Sequence, residues 1–231
     1  MSMHKRDHHI SQILNINMKK IILLVIVSIL SILICYGQDT VTLYHTGYTT
    51  TYSKSLHYPV LVQWWETKAR VECSTPLPRQ DAFAPDPLLY EETNLAKDYV
   101  GSGTDRGHMC PAADNECGDK KLLQECFYFS NMAPQYHSLN AGDWKSLETQ
   151  TRKLALKYDS IYVWCGSVGC AKKIKSLTIP MVCWKVIYIK KTGEFKSYIF
   201  KNSTDHPLGL DHWQTDLEEI EKLTGFKFEK K

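Results

Sequence analysis

The sequence predicts an α+β fold built on a mixed or antiparallel sheet. Three observations point there. Residues 182–189 and 195–200 are β-rich runs flanking Lys191, Thr192 and Gly193, which reads as a hairpin. Residues 161–165 are all apolar or aromatic, as suits a strand covered on both faces. Residues 140–158 read as a helix whose apolar surface comes from Trp144, Leu147, Leu154 and Leu156. A second amphipathic helix is predicted over residues 211–223, stopped by Gly225.

The chain has 231 residues, and its start reads as a leader. Residues 1–20 are polar and basic, and residues 21–35 are an apolar run of signal-peptide length, short for a membrane span. Small Gly37 marks a cleavage point, and Met18-Lys19-Lys20 would be the natural start of such a signal. An uncleaved anchor is the competing reading. Lipidation at Cys35 is disfavoured by bulky Ile34. The expectation is a secreted or periplasmic protein with no stable membrane association after cleavage. Residues 38–231 then form one domain, free of repeats and linkers, of unassigned oligomeric state.

Removing residues 1–37 takes away four basic residues and one acidic residue. The formal +3 becomes a balance of 24 against 24. A globally basic nucleic-acid binder is thereby excluded, and any polyanion must be held by a local patch. Lys120, Lys121, Lys145, Arg152, Lys172, Lys173 and Lys175 are the candidates for such a rim. No recognition helix, zinc finger or ribonucleoprotein motif is present.

The remaining elements follow in order. Residues 41–44 and 59–65 read as strands, residues 69–90 as an extended loop rich in proline, and residues 91–98 as a helical turn. Residues 126–130 read as a strand, and residues 161–165 as a strand bounded by Gly166 and Gly169. Seven cysteines lie after the leader, and an exported chain would pair most of them. Cys165 with Cys170, and pairs within Cys110, Cys117 and Cys126, are the local options; connectivity stays open. A bridge between the last two would stiffen the loop and make activity sensitive to reductant. A zinc site from His108, Cys110, Cys117 and Cys126 competes, but its spacing fits no familiar ligand pattern.

The chemistry concentrates in Asp105-Arg106-Gly107-His108-Met109-Cys110-Pro111-Ala112-Ala113-Asp114. Ser130-Asn131-Met132-Ala133-Pro134-Gln135 follows, then Asn140, Trp144 and Glu148. Phosphodiester hydrolysis needs a base for water, charge for the transition state and help for the leaving oxygen. His108 is the candidate base, because neutral imidazole takes a proton near working pH. Arg106 would offer phosphate a planar fork of donors, and in a regular strand it would share a face with His108; a surface salt bridge, as with Asp105, competes. Asn140 is the candidate direct ligand of Mg²⁺, an ion that keeps most of its waters and needs few protein oxygens. Helix capping is the competing role of Asn140. Glu148 lies about 80° around an ideal helix from Asn140 and would act on the ion through water. Pairing with Arg152 competes with that role. Gly107 would let the backbone turn closely, and Pro111 would end strand pairing. Asp105 and Asp114 read as structural. Gln135 would either touch substrate or shape its loop.

The two motifs, in this order and spacing, resemble the DNA/RNA non-specific endonucleases of the ββα-metal (His-Me finger) superfamily, the endonuclease G-like group. The resemblance covers most of the chain after residue 40. It implies a ββα-metal active-site motif within the α+β fold. It also implies a Mg²⁺-dependent enzyme (Mn²⁺ or another divalent ion could serve) that cuts DNA and RNA with little sequence specificity. Cleavage would leave a 5′ phosphate and a 3′ hydroxyl. Asn131 would support the site. Arg79, Phe83 and Asp86 resemble the family's approach to the active-site hairpin. Cys110 departs from the pattern, standing where a small or apolar residue is usual. The rival readings are a catalytically silent nucleic-acid-binding or extracellular interaction domain of the same fold, and a small-nucleotide phosphodiesterase.

Overall fold

The computed structural model describes residues 39–79, 81–205 and 208–231. The predicted leader, residues 1–37, lies outside the described residues. Contacts divide the chain into residues 1–40 and 41–231, and the fold belongs to the second unit. Among the described residues no helix is long and apolar enough to cross a membrane.

In chain order the first strands are β1 (Thr40–Tyr44), β2 (Thr49–Ser53), β3 (Tyr58–Thr67), β4 (Asp105–His108) and β5 (Met132–Gln135). Then come β6 (Ser160–Val168), β7 (Lys172–Ile174), β8 (Leu177–Ile179), β9 (Val182–Ile189), β10 (Glu194–Lys201) and β11 (Gln214–Thr215). Seven of them form one sheet in the order β1-β2-β3-β6-β9-β10-β11, and the pairs from β2 to β11 are antiparallel. β4 with β5, and β7 with β8, are separate two-stranded units. The fold is α+β, as the sequence predicts.

The apolar run in β6 has the two-sided cover expected of it. Val163 pairs with Ile187 and faces one core, together with Leu147 and Ala155 of the helix α1 (Lys145–Tyr158). Trp164 pairs with Val186 and faces the other core, closed by Ile220 and Phe228. Gly166 does not bound this strand but sits inside it. A Cβ there would lie 2.1 Å from the Val60 carbonyl oxygen, so the sheet tolerates no side chain at that point. Gly169, at φ +79°, makes the turn instead.

Three expectations need correction. Residues 126–130 form a turn leading into the 3-10 helix Phe129–Asn131, and the strand is β5 just beyond. Phe127 and Phe129 are apolar because they fill two different cores, not because a strand runs through them. The stretch 211–223 is broken. A single turn, Leu210–Trp213, is followed by β11, which pairs Gln214 with Tyr198, and then by the helix α2 (Leu217–Thr224). Gly225 ends α2 in the left-handed region, as read from sequence.

The third correction concerns cysteine. Cys73 and Cys117 form a disulfide across 44 residues. Cys110, Cys126, Cys165, Cys170 and Cys183 are free. The local pairs are not made: Cys165 is buried in the sheet while Cys170 is exposed beyond it. Burial pushes the Cys110 thiol up to about 12 and the Cys183 thiol up to about 11, so both stay protonated and inert. The disulfide acts with the Leu77 amide, which donates to the Glu116 carbonyl at 2.7 Å. Together they clamp the segment leading to Arg79. Closing a loop of this length stabilises by about 2–4 kcal/mol. The double change Cys73→Ser/Cys117→Ser is expected to lower Tm by about 5–15 °C for a domain of this size. An unchanged thermal unfolding curve would show that the clamp contributes nothing.

Candidate active site

β4 pairs antiparallel with β5, Gly107 opposite Ala133 and His108 opposite Met132. Two four-residue strands of low β-propensity make a weak hairpin alone. Their neighbours fix it. The Trp144 indole donates to the His108 carbonyl at 3.0 Å. Asn131, fully buried, accepts from the Cys110 amide at 2.9 Å and donates to the carbonyls of Cys110 and Cys126 at 2.8 Å. Its amide is occupied by the backbone at the end of β4 and by Cys126, contacts that suit a supporting role. Pro111 caps the 3-10 turn Ala112–Asp114, beyond the end of pairing.

Gly107 serves packing within the strand more than turning. A Cβ there would lie 2.0 Å from Oε1 of Gln135, whose side chain crosses it. Gln135 itself is fully buried and donates to the Cys183 sulfur at 3.3 Å. The structure thus keeps Gln135 from the surface, and the substrate contact read from sequence is replaced by an internal one.

Arg106 and His108 share a strand face, and both meet Phe83. The Arg106 guanidinium carbon is 4.1 Å from the Phe83 ring centre, and the His108 ring is 5.6 Å from it. Phe127 flanks His108 edge-on at 5.1 Å. His108 Nε2 is buried without a hydrogen-bond partner among the described residues. Burial, reinforced by Arg79 and Arg106 and opposed by Asp81, pushes the imidazole down to about 3. Phe83 and Phe127 flank the partly exposed ring, which favours the neutral imidazole.

Asn140 and Glu148 do not ride one ideal helix. A π-helix, Leu139–Trp144, precedes α1, and Gly142 inside it departs from helical geometry at φ −99° and ψ −113°. The 80° offset of a regular helix does not apply across it. Asn140 makes no cap. Its Nδ2 donates to Asp105 Oδ2 at 2.9 Å, leaving Oδ1 available to a cation. His137 Nδ1 lies 2.8 Å from the same carboxylate oxygen. Asp105 thus joins strand to helix, the structural role expected of it. Glu148 is partly exposed in the first turn of α1, and burial of its carboxyl, opposed by Lys185, pushes it up to about 7. Arg152 donates to Asp114 at 3.0 Å and is close enough to Glu148 to oppose the upward shift of its carboxyl. These features suit a hard cation: one amide oxygen with no hydrogen bond among the described residues, and one carboxyl whose charge burial disfavours. Among the described residues no group of three or more His, Cys, Asp or Glu is arranged to hold a metal, and Cys117 is in the disulfide, so the zinc alternative is not built.

A cavity of about 350 Å³ opens here, lined by Arg79, Phe83, Tyr99, Asp105, Arg106 and Asn140 among others. Asp86, by contrast, is a buried structural knot. Burial pushes its carboxyl up, but hydrogen bonds from His45, Ser130 and Leu88 outweigh that and hold it below the usual range. Sequence reading missed Lys185. It is fully buried, with Nζ 4.2 Å from the Trp144 ring centre. A lone lysine in the apolar strand Val182–Ile189 was the available signal.

A hairpin presenting a histidine, bonded to a π-helix that leads into an α-helix, the two carrying an Asn and a Glu, is the ββα-metal (His-Me finger) arrangement. The chain belongs to the DNA/RNA non-specific endonuclease family, whose profile matches residues 34–231. It is 31% identical to the mitochondrial nuclease EXOG of Xenopus laevis over 63% of this chain and 46% of that one. It is 32% identical to mitochondrial endonuclease G of Bos taurus over 57% and 50%. It is 30% identical to a nuclease of Serratia marcescens over 82% and 75%. The chain thus spans about half the length of the first two relatives. A solved complex of endonuclease G with its inhibitor EndoGI superposes with a TM-score of 0.70 at 26% identity, covering 84% of this chain and 88% of that one.

Proposed function

We propose that this protein is a metal-dependent endonuclease that hydrolyses phosphodiester bonds of DNA and RNA with little sequence specificity. One observation carries the reading: Arg106 and Asn140 line one cavity, and His108 packs beside it on Phe83, a ring of the same lining. Family membership and the nuclease names of its relatives support it. His108 takes a proton from the attacking water. Arg106 holds the non-bridging phosphate oxygens through its planar fork. Asn140 would hold the ion, and Glu148 would act on it through water. Mg²⁺, or Mn²⁺ in its place, would supply positive charge to the phosphate and acidity for the departing 3′ oxygen. Water adds at phosphorus and the 3′ oxygen leaves, giving a 5′ phosphate and a 3′ hydroxyl. Asn131 holds the end of β4 in register. Export to a secreted or periplasmic location is part of the same reading, supported by the apolar run 21–35 and by a disulfide, which persists in oxidising compartments.

The test is digestion of plasmid DNA and of RNA by residues 38–231, with Mg²⁺ or with EDTA. Metal-dependent cutting of both polymers is the expected result. A folded, oxidised protein that binds nucleic acid without cutting it would replace the enzyme reading with the silent-binder one.

A further inference from the structure

The proposed rim of basic residues divides in the structure. Arg152 is committed to Asp114, and Lys121 lies 3.7 Å from Glu125. Lys120, Lys145, Lys172 and Lys173 are exposed and have no ion pair among the described residues, and the last two stand together on β7. Exposed Lys97 shares that state.

The β7–β8 hairpin that carries them is fixed to the wall of the active-site cavity. At its tip Lys175 adopts φ +55°, and its Nζ donates to the carbonyls of Lys97 and Val100 at 3.0 and 3.1 Å. Ser176 donates to Asp98 beside them. Below the tip, buried Leu177 packs in one cluster with Tyr99 and Phe129. Tyr99 and Val100 line the cavity that also holds Arg106 and Asn140. Asp98 is occupied by Ser176, so the acidic group at this junction already has a partner.

Resting on the nuclease reading, we propose that the β7–β8 hairpin is a second phosphate-contact site. Lys172 and Lys173 grip the backbone of the bound strand beyond the scissile phosphate. The contact is to phosphates, so it serves DNA and RNA alike and carries no sequence information. It gives a chain with no net basic charge after its leader a local means of holding a polyanion.

The test uses the His108→Ala variant, so that binding is read without cutting. Its affinity for a short labelled DNA duplex and for an RNA strand is measured across a salt series. Adding Lys172→Ala/Lys173→Ala is expected to weaken binding about tenfold and flatten the logarithmic salt dependence by about two for the duplex, with a smaller flattening for RNA. Lys190→Ala/Lys191→Ala is the control. It removes the same charge from the turn at the opposite end of the eight-residue strand β9, about 25 Å away. An unchanged slope in the first pair, or equal flattening in both, overturns the proposal. Flattening with the duplex alone limits the contact to DNA and overturns its shared use. If the parent binds neither polymer the proposal also falls, while cutting by wild type would leave the nuclease reading standing.

Discussion

Replacing His108 with Ala is expected to lower DNA and RNA cleavage by about 10²–10⁴-fold, the range a general base contributes, with fold and nucleic-acid binding retained. The substitution removes a side chain wedged between Phe83 and Phe127, but it also removes a buried nitrogen that has no partner. The two effects on stability oppose each other. The imidazole is held down to about 3 by burial and by Arg79 and Arg106, so it is neutral throughout the working range. Such a low value makes a weak base. A phosphate seated on Arg106 cancels part of the opposing charge and restores basicity at the moment of use. The depressed value has a further consequence with a definite sign. Stability from neutral His108 is present above the unfolded value near 6.5 and is lost as pH falls towards 3. The Ala variant lacks that loss and should unfold less readily in acid than wild type. Steady-state cleavage, thermal unfolding and duplex binding of the two proteins together decide the matter. Retained cutting would remove His108 from the mechanism.

The large sheet was legible because β3, β6, β9 and β10 are long and rich in β-branched and aromatic residues. The hairpin bearing the site was not legible as strands. Asp-Arg-Gly-His and Met-Ala-Pro-Gln have little intrinsic β-preference and are held by Asn131 and Trp144 from outside. The candidate residues, His108, Asn140 and Glu148, were picked out by the resemblance of two motifs to the family pattern. The relation among them was not, since the π-turn at Gly142 leaves no mark in apolar periodicity. The disulfide joins residues far apart in sequence, and only the folded path brings Cys73 to Cys117. The inward turn of Gln135 could not be read either, because β5 is buried at all four positions. A strand covered on both sides gives no alternation to separate an inward side chain from one that meets substrate.

Glu148→Gln is expected to reduce activity about 10–100-fold, as loss of a group acting through a ligand's water shell does, and to raise the Mg²⁺ concentration needed for half-activity. It should also remove the acid limb of the pH profile. In the free protein the Glu148 carboxyl is pushed up to about 7 by burial, with Lys185 pulling the other way. Below that pH it is protonated and offers no charge to the ion's water shell, so activity falls as pH drops through 7. A cation bound nearby favours the ionised form, so the limb should move to lower pH as Mg²⁺ is raised. His108 is not expected to produce this limb in the free protein, because burial holds its imidazole well below the usual range. The measurement is kcat/KM against pH at several Mg²⁺ concentrations, for wild type and for Glu148→Gln. A limb that ignores Mg²⁺ and survives in the variant would assign it to another group and leave Glu148 an ordinary helix carboxylate. A limb that shifts with Mg²⁺ and vanishes in the variant would tie the ion, the carboxylate and the helix α1 into one working site.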